Sequence, residues 1–522
     1  MINIKEILSK GETFHLEVKK AVGGLPDSLW ESYSSFANTD GGIILLGVSE
    51  ENKKLIISGI TNAQNKIKTL WDLLNNRQKV NLNILVERNI YVQKIEEKEI
   101  IVIEVPRADR RDKPIFINND LSNGTFRRNA DGDYHCTLSE IKSMLRDQSE
   151  IAIDSRVIEE LTISDLDKET IAGYRNHFIS LKPTHVWNRL DIDNFLHKIG
   201  AASRSESGKL KPTLAGLVMF GTDDVITQVL PDYFLDYREV SRMRRWDDRV
   251  VSNLGEWSGN IFDFFFKVVN KLTGDLKVPF RMRNAVERMN NTPVHIALRE
   301  ALANAVIHAD YYGRQGIVIE KRPEEIVFSN PGIFRPNKDE VFDGGISDPR
   351  NPNIFKMFAL IDIGERAGSG LFNIRTIWQD LEWQKPVWEE KFAPERLILT
   401  VPVKEITEEN IEQLEKLMML YSENVPNNFE NVPDDSENVP DNSENVPDNF
   451  KNVPDNFKNV PDDRSDNILN LISSDSSIST STLAKTLGVN TKTIKRDIQR
   501  LKSEGILERV GTNKGGYWKI LK

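Results

Sequence analysis

Three polar residues recur at helical spacing in the middle of the chain, where they could act together chemically. Glu300, Asn304 and His308 are each four positions apart, so a helix places them in one stripe on the same side. A carboxylate, an amide and an imidazole in a row, within a segment rich in alanine, exceed what a solvated helix face requires. The alternative is an amphipathic helix whose polar side simply faces water. The stripe alone does not choose between these two interpretations.

The segment from Thr292 to Tyr311 carries the signals needed to hold these residues on a helix. Thr292 is a good N-cap residue and Pro293 suits the first helical position, so we predict that the helix begins there. An apolar face at helical spacing should pack this helix against a core, and it consists of Leu298, Ala301, Leu302 and Ala305.

Two motifs follow downstream of this helix. A strand-like run, EEIVFSNPGIF, covers 324–334 and ends in a turn, and a glycine cluster, GERAGSG, covers 364–370. Together with the helix they resemble the Bergerat-type ATPases, the superfamily of gyrase, Hsp-ninety-type chaperones and histidine kinases. More narrowly, they and SDPRNPNI at 347–354 resemble the degenerate ATPase module of bacterial proteins that also carry a Schlafen-like AlbA-type domain. No G-x-x-x-x-G-K-[ST] sequence occurs, which excludes a P-loop.

The resemblance implies ATP and Mg²⁺ as cofactors and a role for each matching position. Glu300 would be the base that polarises the attacking water, and Asn304, one helical turn later, would hold Mg²⁺. His308 and Asp310 would border the phosphates, and Asn330 and Gly332 would contact the adenine. A lid over the phosphates would be formed by Gly364, Gly368 and Gly370.

The adenine end departs from the family pattern D-x-G-x-G. Asn330 stands at the position of the Asp, so it accepts through a neutral carbonyl and lacks the stronger charge-assisted hydrogen bond. Phe334 stands at the position of the second glycine. These departures weaken the predicted affinity and turnover more than the predicted fold.

Residues 1–150 are predicted to form an α/β domain. LEVK, FANTDGGIILLGV and GTFRRN resemble the AlbA-type domain shared with Schlafen proteins, for which RNA or DNA is the expected partner. In Schlafen ribonucleases acids hold a divalent metal, and the matching positions here are Glu12, Glu17 and Glu50, with Lys19 beside them. The alternative is a strand on which Glu17 and Lys19 share a face and pair with each other. The arginines that could contact a phosphate backbone are Arg107, Arg110, Arg111, Arg127 and Arg128.

Residues 151–290 carry no catalytic motif and are predicted to connect the AlbA-type domain to the ATPase module at 291–403. ISDLDKETIAGYRNHF, LDIDNFLHKIG and WSGNIFDFFFKVVNKL predict helices, whereas TLAGLVMFG predicts a buried strand. A basic cluster with an aromatic residue is expected to pack at a domain junction rather than to bind nucleic acid, and it comprises Arg242, Arg244, Arg245 and Trp246.

The composition changes sharply after residue 403. Segment 404–463 is predicted to hold a connecting helix and then seven-residue units from ENVPNNF to KNVPDDR, whose prolines exclude a continuous helix. We predict a disordered acidic tether there. Residues 421–463 hold 11 acids and 2 lysines, whereas residues 481–522 hold 10 Lys or Arg and 3 acids. The net charge of −10 therefore lies mainly in the tether, and the C-terminal segment is basic.

The last segment, 464–522, resembles the winged helix-turn-helix of bacterial transcription regulators. NILNLIS, TSTLAKTLG and NTKTIKRDIQRLKSEG predict three helices, and ILERVG with GGYWKIL predicts a hairpin wing. Leu483, Leu487, Ile494, Ile498 and Leu501 should supply the core. A helix that presents cations suits the DNA major groove, and the predicted contacts are Thr491, Lys492, Thr493, Lys495, Arg496 and Arg500. The alternative is a winged helix that contacts only protein.

The combined prediction is an α+β multidomain protein with an AlbA/Schlafen-like α/β domain, a Bergerat-type (GHKL-like) ATPase sandwich and a C-terminal winged helix. We expect an ATP-binding, DNA-binding transcriptional regulator whose domain arrangement is biased by nucleotide; a homo-oligomer is compatible with this interpretation. The first alternative is a metal-dependent nuclease gated by ATP, acting on tRNA or foreign nucleic acid, and the second is a scaffold with an inactive ATPase module. No apolar run reaches the ~18 residues of a membrane helix, no secretory h-region begins the chain, and Cys136 is the single cysteine. A cytoplasmic protein without a membrane partner is therefore expected.

Overall fold

A computed structural model describes most of residues 13–404 and part of the C-terminal segment. The first range has gaps at 52–53, 96, 241–245, 275–281, 284–286, 289–291, 337–340, 343–347, 365–369 and 393. The described C-terminal residues are 468–469, 471–472, 478, 480, 482–483, 494, 498, 501–502, 506–510 and 517–521. The chain divides into two compact units, Met1–Val432 and Pro433–Lys522.

The N-terminal part of the first unit is built on a four-stranded sheet. Its strands are β1 (Leu16–Lys19), β2 (Gly42–Leu46), β5 (Ile90–Ile95) and β6 (Lys98–Val105). Their order is β1-β2-β6-β5, with β1 and β2 parallel and the other pairs antiparallel. The central strands are almost continuously apolar because both faces of the sheet are covered, one by the core around Ile44 and the other by the core around Leu45.

The described residues of this part also form three helices and two hairpins. The helices are α1 (Ser28–Asn38), α2 (Ala63–Leu74) and α3 (Leu138–Gln148). The hairpins are β3 (Val48–Glu51) with β4 (Lys54–Ile57), and β7 (Phe126–Asn129) with β8 (Gly132–His135). On α1, Ser34 and Asn38 are buried and bond the main chain of Ile115 and Phe126, which ties the helix to the segment that leads into β7.

The following segment is mainly helical, with α4 (Lys168–Leu181), α5 (Ile192–Ile199), α6 (Leu214–Phe220), α7 (Asp223–Val229) and α8 (Ile261–Gly274), and one hairpin of β9 (Ala202–Arg204) and β10 (Leu210–Pro212). The three predicted helices are confirmed as α4, α5 and α8. The predicted strand in TLAGLVMFG is wrong, because this run forms α6, whose first turn is capped by Thr213. Every residue of α6 is buried, so its apolar run lacked the periodicity that separates a helix from a strand.

The third segment of this unit contains a six-stranded sheet. Its strands are β11 (Leu235–Glu239), β12 (Asp248–Val251), β15 (Ile317–Lys321), β16 (Glu325–Pro331), β17 (Val387–Phe392) and β18 (Glu395–Pro402), and the two-residue strands β13 (Met282–Arg283) and β14 (Glu287–Arg288) pair separately. The order is β12-β11-β15-β16-β18-β17, with β11 and β15 parallel and the rest antiparallel. Two of these strands precede residue 290, so the connecting segment contributes to the sheet and shares one hydrophobic core with it.

Helices α9 (Pro293–Ile307), α10 (Pro352–Leu360) and α11 (Gly370–Asp380) accompany this sheet. The predicted start of α9 is confirmed, because the Thr292 hydroxyl accepts from the His295 amide and Pro293 occupies the first turn. The predicted apolar face is also confirmed, since Leu298, Ala301, Leu302 and Ala305 are buried. The helix packs against α8, α11 and β16.

The second unit has its own small core and a hairpin of β19 (Leu507–Val510) and β20 (Tyr517–Ile520), as predicted. The core includes the predicted Leu483, Ile494, Ile498 and Leu501, and it is completed by Ile468, Ile472, Ile478, Leu507 and Trp518. Leu487 lies outside the described residues. Among the helices that the structure describes, none has the length and apolarity to cross a membrane.

Candidate functional site

The polar stripe of α9 forms a connected pair followed by a neutral histidine. Asn304 Nδ2 donates to Glu300 Oε1 over 3.3 Å, and both side chains are half-buried. His308 caps the C-terminus of the helix. Burial, with Arg350 and Arg335 nearby, lowers the pKa of His308 to about 4. Its imidazole is therefore neutral at physiological pH.

The stripe lines an open cleft, the cavity beside α9, whose walls come from α9, β16 and the segments that follow them. Glu300 and Asn304 of α9, the capping His308 and Asn330 of β16 all line this cavity. Most of the remaining wall is apolar, with Phe328, Ile333, Phe334, Val341, Phe355, Leu371, Trp388, Leu397 and Leu399. A flat apolar group and a polar or charged group could therefore occupy it together.

The other predicted nucleotide contacts are placed differently. Asp310 pairs with Arg146 over 2.6 Å and accepts from the Tyr312 amide, and it is not among the described residues that line the cavity. Gly364 has a positive φ of 79° and lies near Ile307, at the end of α9. Gly370 is the first residue of α11, and Gly368 lies outside the described residues.

Position 332 requires glycine because of its backbone conformation and because of the adjacent Arg350, which was not among the predicted site residues. Its φ is +94°, and a Cβ at this position would lie 1.6 Å from Nη1 of Arg350. The Arg350 guanidinium lines the cavity and is held by Asp147, whose carboxylate accepts from Nη2 over 2.7 Å. Arg350 belongs to the family-like motif SDPRNPNI, so the motif could have pointed to this residue.

Helix α3 and the loop after β6 contact the cavity-bearing segment through ion pairs. Arg107 donates to Glu390 over 2.7 Å and to the Phe334 carbonyl over 2.6 Å, and Arg110 pairs with Asp348. The hypothesis that Arg107 and Arg110 contact a nucleic-acid backbone is therefore wrong for this arrangement, because both guanidinium groups are paired with carboxylates and mostly shielded from solvent. Arg127 and Arg128 are likewise paired internally, with Glu140 and Glu17 respectively, whereas Arg111 is exposed.

The candidate nuclease acids are not assembled by the described residues. Glu17 is buried, and its two oxygens accept from Lys19 over 2.6 Å and from Arg128 over 2.7 Å, so the predicted alternative of a Glu17–Lys19 pair is observed. Glu50 is exposed on β3, and Glu12 lies outside the described residues. Within the described part of the chain, no three acids, histidines or cysteines are grouped to hold a metal.

A second, smaller pocket lies beside the first and shares Ile333, Phe334 and Arg335 with it. Lys113 of the N-terminal part and Glu395 of β18 both line it, so it lies at the junction between the N-terminal part and the six-stranded sheet. Burial lowers the pKa of Lys113 to about 7, with Arg107 adding to the effect. Burial also raises the pKa of Glu395 to about 6. This junction therefore holds two groups whose charge is sensitive to pH near neutrality.

Several predicted nucleic-acid contacts fall outside the described residues. They are Thr491, Lys492, Thr493, Lys495, Arg496 and Arg500. The basic cluster that is expected to pack at a domain junction also lies outside them at Arg242, Arg244 and Arg245. Trp246 is described, and the Arg249 guanidinium lies over its ring at 4.9 Å while pairing with Asp236. Trp246 therefore packs against a residue of the neighbouring strand β12, and the expected position of the cluster at a domain junction stays a prediction.

Comparison with protein families gives four matches along the chain. Residues 12–137 match "Schlafen, AlbA_2", and residues 142–236 match a domain of unknown function. Residues 315–399 match "Putative ATP-dependent DNA helicase recG C-terminal", and residues 464–517 match "HTH domain". No curated protein matches the chain.

Two solved structures resemble the chain weakly. The DIP2311 protein from Corynebacterium diphtheriae is 16% identical, with 99% of this chain and 96% of that chain covered and a TM-score of 0.40. The N-terminal domain of a putative ATP-dependent DNA helicase RecG-related protein from Nitrosomonas europaea is 25% identical over 26% of this chain and 95% of that chain, with a TM-score of 0.22. In its domain composition the chain is a Schlafen-like AlbA-domain protein that carries an ATPase-type module and a C-terminal helix-turn-helix domain.

Proposed function

We propose that the cavity beside α9 binds ATP and that nucleotide binding biases how the chain engages DNA, as in a transcriptional regulator. The observation that carries the nucleotide half is the hydrogen-bonded Glu300–Asn304 pair on the wall of a cavity that also holds Asn330. The apolar wall suits a purine base, and Asn330 offers an amide to its edge. The Bergerat-type sandwich remains part of this proposal.

Mg²⁺ fits the donor set only when phosphate is present. Glu300 and Asn304 offer adjacent oxygen ligands of the kind that Mg²⁺ prefers, but the described residues contain no complete acidic cluster. Mg²⁺ is commonly held by one or two protein oxygens together with nucleotide phosphates and water. Asn304 would hold the ion in this arrangement, and Glu300 would take a proton from water at the phosphate.

Equilibrium binding of radiolabelled ATP to the full chain tests the nucleotide half. We expect Asn304→Ala to weaken ATP binding at least 10-fold in the presence of Mg²⁺, because it removes a metal ligand. Asn65→Ala, at an exposed position of α2, is the matched control and should bind as the wild type does. Equal, negligible binding by the wild type and Asn304→Ala would refute the nucleotide proposal.

The DNA half rests on the helix-turn-helix match and on the basic composition of residues 481–522. We propose that Thr491, Lys492, Thr493, Lys495, Arg496 and Arg500 contact DNA. Replacing both Lys495 and Arg496 by alanine should reduce DNA affinity and lower the salt slope by about 2, because two phosphate contacts are lost. Lys142→Ala, on the exposed side of α3, is the control.

Regulation is tested by measuring DNA affinity with and without ATP. A nucleotide-dependent change in the wild type that is lost in Asn304→Ala would support the regulator. DNA binding that is indifferent to nucleotide would instead support a scaffold with an inactive ATPase module. No observation among the described residues favours the nuclease alternative, because Glu17 is engaged by two cations.

A further inference from the structure

Arg350 is a buried cation whose hydrogen-bond donors are only partly used. Its side chain is 4% exposed, and Nη2 donates to Asp147 over 2.7 Å and to the Ile333 carbonyl over 3.2 Å. Across the described part of the chain, neither Nε nor Nη1 has a hydrogen-bond partner. Buried donors without acceptors are costly, so a ligand that supplies acceptors there is stabilised.

Carboxylates are too few at this end of the cavity to satisfy its arginines. Asp348 pairs with both Arg110 and Arg335, and Asp147 pairs with Arg350 and lies 3.9 Å from Nε of Arg335. Three guanidinium groups therefore share two carboxylates, and Nε of Arg335 also lacks a hydrogen-bond partner among the described residues.

The two other acids near Arg350 are already engaged. Asp310 pairs with Arg146, and the Glu395 carboxylate accepts from the Ser143 hydroxyl. His308 adds no positive charge at neutral pH. The unused donors at this end therefore favour a negatively charged acceptor, which forms stronger hydrogen bonds with guanidinium than a neutral one does.

The guanidinium of Arg350 is held in place before any ligand arrives. Asp147 fixes Nη2 from one side, and the absence of a side chain at Gly332 allows the group to lie against the main chain. Arg350 lines the same cavity as Asn304 and Asn330. A preorganised donor loses little conformational freedom on binding, which suits a recognition site.

We infer that Arg350, assisted by Arg335, is an oxyanion subsite of this cavity and binds a phosphate oxygen of the ligand. The inference rests on the proposed function only in taking the phosphate to be that of a nucleotide. An inorganic polyphosphate offers the same chemistry without the base, so the two sources can be separated by experiment.

Calorimetric titration of the full chain with ATP, adenosine and inorganic tripolyphosphate tests the subsite. We expect ATP to bind at least 30-fold more tightly than adenosine and tripolyphosphate to compete with ATP. Arg350→Met should weaken the binding of ATP and of tripolyphosphate at least 30-fold and leave the affinity for adenosine unchanged. Arg350→Lys should recover only part of the loss, because an ammonium cannot reproduce the planar set of donors.

Arg322→Met is the control, since Arg322 pairs with Glu320 and Glu325 away from the cavity. Adenosine binding as tightly as ATP in the wild type would overturn the oxyanion subsite and leave nucleotide binding intact. Tripolyphosphate binding without ATP or adenosine binding would support the subsite and refute the proposed nucleotide function. If neither ATP nor tripolyphosphate binds to the wild type, the oxyanion subsite is refuted. This comparison of ligands uses only the wild-type chain, so it does not depend on whether a variant folds.

Discussion

The Arg128 guanidinium donates to the Glu17 carboxylate over 2.7 Å, although 111 residues separate them in the chain. The same nitrogen donates to Asp133 over 2.9 Å, and Nη2 donates to the carbonyls of Thr13 and Leu16. The Arg128 side chain is fully buried. The group therefore joins β1 to the β7–β8 hairpin as a structural centre of the N-terminal part.

Arg128→Met should destabilise the chain, because it leaves the Glu17 and Asp133 carboxylates with one cation fewer in a buried site. Breaking a buried ion pair from one side costs about 3–5 kcal/mol. Chemical denaturation followed by tryptophan fluorescence measures the change. Arg111→Met, at an exposed position, should leave the midpoint within error. An unchanged midpoint for Arg128→Met would show that the buried pair is not a stabilising centre.

Incubation of the purified chain with tRNA and Mn²⁺ should give no cleavage that depends on Glu17. Both oxygens of this carboxylate are occupied by cations, so a metal would have to displace Lys19 or Arg128. Gel analysis of the wild type and Glu17→Gln, each checked for folding by circular dichroism, provides the measurement. Cleavage by the wild type that a folded Glu17→Gln loses would favour the nuclease alternative instead.

Glu300→Gln should separate ATP hydrolysis from ATP binding. The amide is nearly isosteric and can still bond Asn304, but it cannot accept a proton from water, so hydrolysis should fall about 10²–10⁴-fold. Phosphate release and ATP binding are measured on one preparation. Glu169→Gln, exposed on α4, is the control. Parallel losses of binding and hydrolysis would argue against a role as the base.

Gly332→Ala should be destabilising for two reasons, and alanine substitutions at two other glycines allow them to be measured separately. A positive φ costs a non-glycine residue about 1–3 kcal/mol, and the added methyl group would also displace Arg350. Gly255 has a φ of +71° and open space where a Cβ would lie, with no atom within 4 Å, so Gly255→Ala reports the backbone cost alone. Gly24 has neither constraint, and Gly24→Ala should be neutral.

Thermal unfolding and ATP binding distinguish these three alanine variants. We expect both stability and ATP affinity to fall in Gly332→Ala, whereas Gly255→Ala should lose only stability. Equal losses of stability in the two variants, with ATP affinity retained in both, would mean that the contact with Arg350 is unimportant.

Lys113 should make the stability of the chain rise with pH above neutrality. Burial lowers its pKa in the folded state to about 7, below the ordinary value of 10.5, so the unfolded state binds more protons between these values. The free energy of unfolding of the wild type minus that of Lys113→Met should therefore increase from pH 7 to pH 10.5, by at most about 1.4 kcal/mol per pH unit. Below pH 7 the difference should be constant.

Denaturation midpoints at several pH values measure this difference. Lys142→Met, exposed on α3, controls for general effects of removing a lysine. A difference between wild type and Lys113→Met that does not change with pH would contradict the lowered pKa.

Local signals were sufficient to predict the elements that carry the candidate site. Thr292 and Pro293 mark the start of α9, the spacing of its apolar residues orients it, and the resulting stripe brings Glu300, Asn304 and His308 to one cavity. These features depend on residues within a few turns of one another, which is the range over which capping and helical periodicity act. The C-terminal hairpin was predictable for the same reason.

Tertiary structure alone decided the partners of the charged residues. Glu17 is paired with Arg128, and Arg350 is held by Asp147 from 203 positions away, so neither pair has a local signature. Arg107 and Arg110 are residues of a type that often contacts nucleic acid, but here they are mostly shielded from solvent in ion pairs with carboxylates. Likewise, α6 is apolar on every side, so its form depended on what surrounds it. Charge and hydrophobicity in a sequence state what a residue can contact, but the fold decides which contact it makes.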